Sequence, residues 1–268
     1  MKQEIERYLS KYQYESLNIK AAFFDMDGVL FNSMPYHAEA WKRTINAHGI
    51  PFELHDAYVC EGRTGASVIN EVFLKHKGRE ATEEEIQSMY KEKSDCFNSI
   101  SKIERIPNIH PLLEQLKADG VDIYIVTGSG QESLLDRLNK WFPGIFCKEK
   151  MVTAFDVKKG KPDPEPYLIA LAKSGVRPNE AFVVENAPLG VRSSVAAGLF
   201  TFAVNTGILT TEELACEIND SGIVLPDMIA VREYYVNEMR NMTFWKKQNH
   251  GGSKGWLPGV VGKSAKDI

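Results

Sequence analysis

Two carboxylates lie two residues apart in Phe23-Phe24-Asp25-Met26-Asp27-Gly28-Val29-Leu30, where an apolar run ends and a glycine lets the chain turn. One reading is an Asx turn, in which the aspartates only cap backbone groups. The other is chemical, because three further clusters follow later apolar runs in order, and each supplies something a phosphoryl-transfer site needs. Thr127-Gly128-Ser129-Gly130-Gln131 is a small hydroxyl-bearing turn opening a helix, whose free N–H groups suit phosphate oxygens, although many helices simply begin this way. Lys159-Gly160-Lys161-Pro162-Asp163-Pro164 fixes Lys161 on a loop stiffened by prolines, where it is either a compact cation for a transferring phosphoryl group or a solvated loop charge. Val183-Val184-Glu185-Asn186-Ala187 ends in oxygen-bearing side chains that could meet Asp25 and Asp27 around a magnesium ion, or that leave Asn186 as a helix N-cap.

The elements that must bring these clusters together are short apolar runs alternating with helical patterns: Ala21 to Phe24, Val121 to Val126, Ala181 to Val184, Phe200 to Val204 and a weaker Ile223 to Leu225. The runs are nearly continuous, as expected of parallel strands covered on both faces, so the class is α/β with crossover helices. Between the first two runs, residues 36–101 hold amphipathic helical patterns such as Ala38 to Ala47 and Glu83 to Phe97, and no convincing strand. This is an inserted helical domain whose junctions, Asn32-Ser33-Met34-Pro35 and Glu104-Arg105-Ile106-Pro107-Asn108, suit a paired hinge. Such an insertion sits over the carboxyl edge of the sheet, where open α/β folds bind ligands. The expected division is an N-terminal extension (1–18), a core (19–35 and 102–233), a cap (36–101) and a mobile basic tail (234–268).

Composition bounds the function from outside. With 268 residues, 43% hydrophobic and 25% charged, the chain has ordinary globular values, which excludes a mostly disordered, collagen-like or coiled-coil protein. Lysine plus arginine total 32 against 36 acidic residues, a net charge of −4, so no basic field exists to hold nucleic acid. Four cysteines form no CxxC and six histidines no HExxH, against structural zinc or a disulfide framework. The charged N-terminus lacks the apolar core of a signal peptide, and no apolar run nears the ~20 residues needed to span a bilayer. A soluble cytoplasmic monomer without nucleic-acid or membrane partners is expected, taking a small phosphorylated substrate.

Jointly, the four clusters, their order and the insertion point resemble the haloacid dehalogenase superfamily, specifically its β-phosphoglucomutase-like branch, over about Lys20 to Pro226. The resemblance implies a Rossmann-like parallel-sheet core with a helical cap after the first strand. It makes Asp25 the nucleophile that forms an aspartyl-phosphate and Asp27 the general acid and base. Magnesium (Mg2+) would be held by Asp25, the backbone carbonyl of Asp27 and the Glu185-Asn186 pair, while Thr127, Gly128, Ser129 and Lys161 hold the phosphoryl group. One departure stands out: many relatives have Glu-Asp where this chain has Glu185-Asn186, one charge fewer for the metal.

The first cap loop departs too. Relatives that move phosphate on sugars carry a lysine followed by glycine there, whereas this chain reads Cys60-Glu61-Gly62-Arg63-Thr64-Gly65. A carboxylate closing over an anionic pocket repels substrate unless a cation lies between them, so Glu61 is expected to be an extra magnesium ligand, compensating for Asn186. Less room then remains, which favours a small leaving group whose distal phosphate Arg63 and Lys93 could hold, with Thr64 among the substrate-binding positions. The sequence, including Phe31-Asn32-Ser33-Met34-Pro35-Tyr36-His37, Glu61-Gly62-Arg63-Thr64-Gly65 and Val184-Glu185-Asn186-Ala187-Pro188-Leu189-Gly190, is most similar to the branch's inorganic pyrophosphatases, so hydrolysis of pyrophosphate is the leading expectation. His37, Trp41 and Lys93 match positions used by the sugar-phosphate mutases, which keeps β-phosphoglucomutase or a broad sugar-phosphate phosphatase as the alternative.

Overall fold

A computed structural model describes residues 3–129 and 134–240 of the chain. β1 (Ala21–Phe24), β2 (Asp122–Val126), β3 (Met151–Val152), β4 (Ala181–Glu185), β5 (Phe200–Val204) and β6 (Gly222–Leu225) form one sheet in the order β3-β2-β1-β4-β5-β6. Every pairing is parallel, and Phe24 stands opposite both Ile125 and Val184. That register ends β1, β2 and β4 at one edge, so Asp25, Thr127 and Glu185 emerge side by side. The helices are α1 (Gln3–Tyr12) before the sheet; α2 (Met34–Ala47), α3 (Leu54–Val59), α4 (Gly65–Lys77) and α5 (Glu83–Ile100) in the insertion; and α6 (Ile109–Ala118), α7 (Leu134–Trp141), α8 (Glu165–Ser174), α9 (Pro188–Ala196), α10 (Thr211–Ala215) and α11 (Met228–Tyr234) in the core.

Successive side chains of a strand point to opposite faces, and each face here has its own cover. Ala22, Phe24, Ile125, Val184 and Phe202 pack with α1, α6 and α11 through Tyr8, Leu113 and Val231. Ala21, Phe23, Val126 and Val183 pack with α8 through Tyr167 and Ala170. Both faces are therefore dry, which is why the strands read as unbroken apolar runs.

The insertion forms a cap whose own cluster, with Trp41, Ile45, Ile69, Phe73 and Met89, continues onto Val191, Ala203 and Leu209 of the core. Its helices start on sequence signals: Thr82 caps α5 in a capping box with Glu85, and Thr64 caps α4. At the hinge the junctions pair with each other, Asn32 N–H donating to Glu104 O (2.9 Å) and Ile106 N–H to Leu30 O (2.9 Å).

Three features differ from the sequence reading. β3 is two residues long, too short to show as an apolar run. The N-terminal extension is part of the core, because α1 buries Ile5, Tyr8 and Leu9, and the Tyr8 hydroxyl donates to Gly198 O at 2.9 Å. The tail boundary at 234 falls too early: Tyr235–Arg240 continue as a π-helical turn that buries Tyr235 and Met239 and pairs Arg240 with Asp119 at 2.8 Å. The rest of the expected tail, 241–268, lies outside the described residues, as do Gly130 and Gln131. Among the described residues, no helix is long and apolar enough to cross a membrane.

Candidate active site

Asp25 sits at the tip of β1, buried, with its backbone N–H donating to Val184 O (3.1 Å). The chain turns immediately at Gly28, where φ is +82° and an added Cβ would stand 2.1 Å from Asn186 Nδ2. A side chain there is excluded twice, by conformation and by space. From the loop before α8, the buried Lys161 Nζ reaches Asp25 Oδ1 (2.5 Å), Glu185 Oε1 (2.5 Å) and Val126 O (3.0 Å). All three ammonium donors are thereby engaged. Thr127 follows β2 with its N–H on Val152 O (2.9 Å), and its hydroxyl oxygen accepts from Ser129 N–H (3.1 Å).

Asp27 belongs to a second network. Its Oδ1 accepts from Ser33 Oγ (2.5 Å) and lies 3.3 Å from His37 Nε2. The His37 ring stacks on Phe97, centroids 4.0 Å apart, and its Nδ1 is 2.7 Å from Lys93 Nζ. An ammonium only donates, so Nδ1 accepts and Nε2 carries the proton that faces Asp27. The cap thus reaches the second carboxylate through His37 and Lys93, while the core holds the first through Lys161.

The two carboxylates are driven apart electrostatically. Burial pushes Asp25 up to about 7, against the pull of Lys161 and with the added repulsion of Glu185. Burial would also raise Asp27, but the His37 and Ser33 contacts and the Lys93 charge outweigh it and hold that carboxyl at about 2. Burial lowers Lys93 to about 8, leaving it mostly charged at neutral pH. Glu61 is raised well above the usual carboxylate range, first by burial and then by Asp25.

The cap closes on this edge to leave a cavity of about 100 Å3 lined by residues that include Asp25, Asp27, His37, Glu61, Arg63, Lys93, Thr127, Gly128 and Ser129. Glu61 is buried there, and both its oxygens accept from Asn186 Nδ2, at 2.9 and 3.0 Å. Gly128 packs tightly under the same cap loop: a Cβ on it would be 3.0 Å from Gly62 O. Arg63 lines the cavity while its Nε lies 3.1 Å from Glu71 and one terminal nitrogen donates to Ser67 Oγ at 3.2 Å. Thr64 stands apart from that lining; its hydroxyl caps α4, accepting from Ser67 N–H (3.3 Å), beside a separate cleft with Lys158 and Lys159.

Two contributors carry no sequence signal of their role. Ser33 lies at the N-cap of α2 but makes no cap bond and gives its hydroxyl to Asp27 instead. Tyr167, on α8, donates to Glu185 Oε1 at 2.5 Å. The proline beside Ser33 marks only a junction, and in sequence Tyr167 is indistinguishable from any core aromatic.

Among the described residues, no three His, Cys, Asp or Glu side chains already stand in metal-coordinating geometry. Lys161 lies between Asp25 and Glu185, and Asn186 lies against Glu61. The donor set nevertheless fits a hard divalent cation. It is all oxygen, neighbouring carboxylates help to raise the proton affinity of Asp25 and of Glu61, and Asn186 Oδ1 is buried without a hydrogen-bond partner.

Comparison with known proteins shows the family. The family described as haloacid dehalogenase-like hydrolase matches residues 22–204. Hexitol phosphatase A of Escherichia coli is 32% identical, over 70% of this chain and 84% of its own length. Beta-phosphoglucomutase of Bacillus subtilis is 29% identical, over 70% of this chain and 84% of its own. A solved Bacteroides vulgatus structure, provisionally named a beta-phosphoglucomutase, shares 50% identity with a TM-score of 0.83, covering 87% of this chain and 94% of that one.

Proposed function

The chain belongs to the haloacid dehalogenase-like hydrolases, on their β-phosphoglucomutase-like branch, and within that family we propose that it transfers the phosphoryl group of a small phosphorylated carbohydrate through phospho-Asp25. The observation that carries this reading is the pair of separately held carboxylates, Asp25 on Lys161 in the core and Asp27 on Ser33 of the hinge and His37 of the cap, both lining one cavity. The names of the relatives favour a carbohydrate phosphate over pyrophosphate. Pyrophosphate is the alternative reading, supported by Glu61, a buried carboxylate lining the cavity where the sugar-phosphate relatives carry a lysine.

Asp25 attacks phosphorus and the bond to the leaving oxygen breaks; Asp27 gives that oxygen its proton, then takes one from the water that cleaves phospho-Asp25. The His37 and Ser33 contacts and the Lys93 charge favour the ionised Asp27, the form the hydrolytic step requires, whereas the leaving-oxygen step uses the proton that Asp27 takes up with the incoming substrate. Thr127 holds the phosphoryl oxygens, joined by Lys161 once its ammonium exchanges one of its three present acceptors for a phosphoryl oxygen. Asp25, the Asp27 backbone carbonyl, Glu185, Asn186 and Glu61 would hold magnesium. When bound, the ion screens the repulsion between anionic substrate and carboxylate. Cap closure excludes bulk water.

The test is phosphate release from β-glucose 1-phosphate, hexitol and other sugar phosphates and pyrophosphate, at saturating magnesium. A sugar phosphate with the highest kcat/KM is expected. Pyrophosphate leading the series would replace the carbohydrate reading by the pyrophosphatase one. Conversion of β-glucose 1-phosphate to glucose 6-phosphate without net phosphate release would identify a mutase. Asp25→Asn should abolish turnover of every substrate; retained activity would end the covalent scheme.

A further inference from the structure

We propose that Tyr167 is a positioning residue, whose phenol fixes the orientation of the Glu185 carboxylate for cation binding; this rests on the phosphohydrolase reading above. Tyr167 is fully buried on α8, its ring packed in the cluster that includes Phe23, Val183 and Ala170. Packing alone asks for a phenylalanine. The hydroxyl is instead spent on one atom, Glu185 Oε1, at 2.5 Å.

That oxygen also accepts from Lys161 at 2.5 Å, so both of its acceptor directions are occupied. Glu185 Oε2 has only a long contact with Asn186 N–H, 3.3 Å, and is the oxygen left to ligate. Behind the carboxylate stands Gly190, where a Cβ would come within 2.2 Å of its carbon and both oxygens. The group is boxed by Lys161, Tyr167 and Gly190. Without the phenol, only Lys161 would hold Oε1, and that ammonium is a rotatable point donor already shared with Asp25 and Val126 O. Orientation matters more here than in a Glu-Asp site, because Asn186 brings no additional charge. Partners that orient metal-ligating carboxylates act through affinity, typically ten- to a hundredfold.

The experiment is calorimetric titration of magnesium chloride into wild type and Tyr167→Phe, both substrate-free, beside kcat as a function of magnesium. About tenfold weaker magnesium binding is expected in Tyr167→Phe, with kcat approaching wild type once magnesium saturates and KM for the sugar phosphate little changed. A merely structural phenol would lower the unfolding midpoint without moving magnesium affinity. Unchanged affinity, or a kcat loss that saturating magnesium does not restore, overturns the positioning role alone. A wild-type protein that binds no magnesium overturns it together with the functional reading. Gly190→Ala disturbs the same carboxylate from the opposite side and should weaken magnesium in the same way; wild-type affinity in that variant also refutes the proposal.

Discussion

Glu61 and Asn186 each depart from the pattern of the sugar-phosphate relatives, and the structure makes them one feature. An aspartate at 186 would set another carboxylate against Glu61, whereas the asparagine amide donates to both of its oxygens. Cap and core are thereby matched. Asn186→Asp alone should lower kcat/KM by tenfold or more. Adding Glu61→Lys, which restores opposite charges across the same gap, should recover part of the loss. A double-mutant cycle over the four proteins should give a coupling of about 1–3 kcal/mol, and simple additivity would dissolve the pair. At this scale the sequence showed Asp25, Asp27, Thr127, Lys161, Glu61 and Glu185, because each lies beside a glycine, proline or strand end that gives it a pattern. Ser33 and Tyr167 were not legible, since a lone hydroxyl shows its partner only after folding.

The turn that follows β1 is the element on which both carboxylates depend. Gly28 has φ of +82° and faces Asn186, while its carbonyl accepts from Thr206 Oγ at 2.6 Å. Gly120, after α6, has φ of +71° with nothing within 4 Å of an added Cβ. Alanine at either position costs left-handed strain, about 1–3 kcal/mol. Only Gly28→Ala also drives a methyl into the site. Gly120→Ala should therefore lose stability in denaturant unfolding and keep its kcat, whereas Gly28→Ala should lose both; equal kcat values would deny the turn its role. The strands and the cap insertion were readable beforehand because two-sided burial leaves continuous apolar runs and because one crossover was far too long. β3 and the helical turn over Tyr235–Arg240 were not readable: two residues give no period, and basic residues masked the buried Tyr235 and Met239.

Over the whole molecule, the site stores unfavourable charge that folding alone does not relieve. Asp25 is raised to about 7 and Glu61 well above its ordinary value, so between the ordinary carboxylate range and pH 7 the folded chain binds more protons than the unfolded one. By linkage, these two groups make stability fall as pH rises through that window. Two groups act oppositely: His37, lowered by burial, does so below its ordinary value near 6.5, and Lys93, lowered to about 8, begins to do so as pH approaches 8, where one amine offsets only part of the effect of two carboxylates. Asp27, held at about 2, contributes stability that is complete above pH 4 and lost only in strong acid. The metal-free protein should accordingly show a lower Tm at pH 8 than at pH 6.5 in the presence of a chelator. Magnesium binds only the ionised carboxylates, so it should raise Tm more at pH 8 than at pH 6.5, narrowing the difference and releasing protons as it binds. Thermal unfolding at both pH values, with chelator and with magnesium, checks each sign. A magnesium effect independent of pH would place the ion away from Asp25 and Glu61, and a metal-free Tm that rises toward pH 8 would contradict the buried, mutually repelling carboxylates from which the site is built.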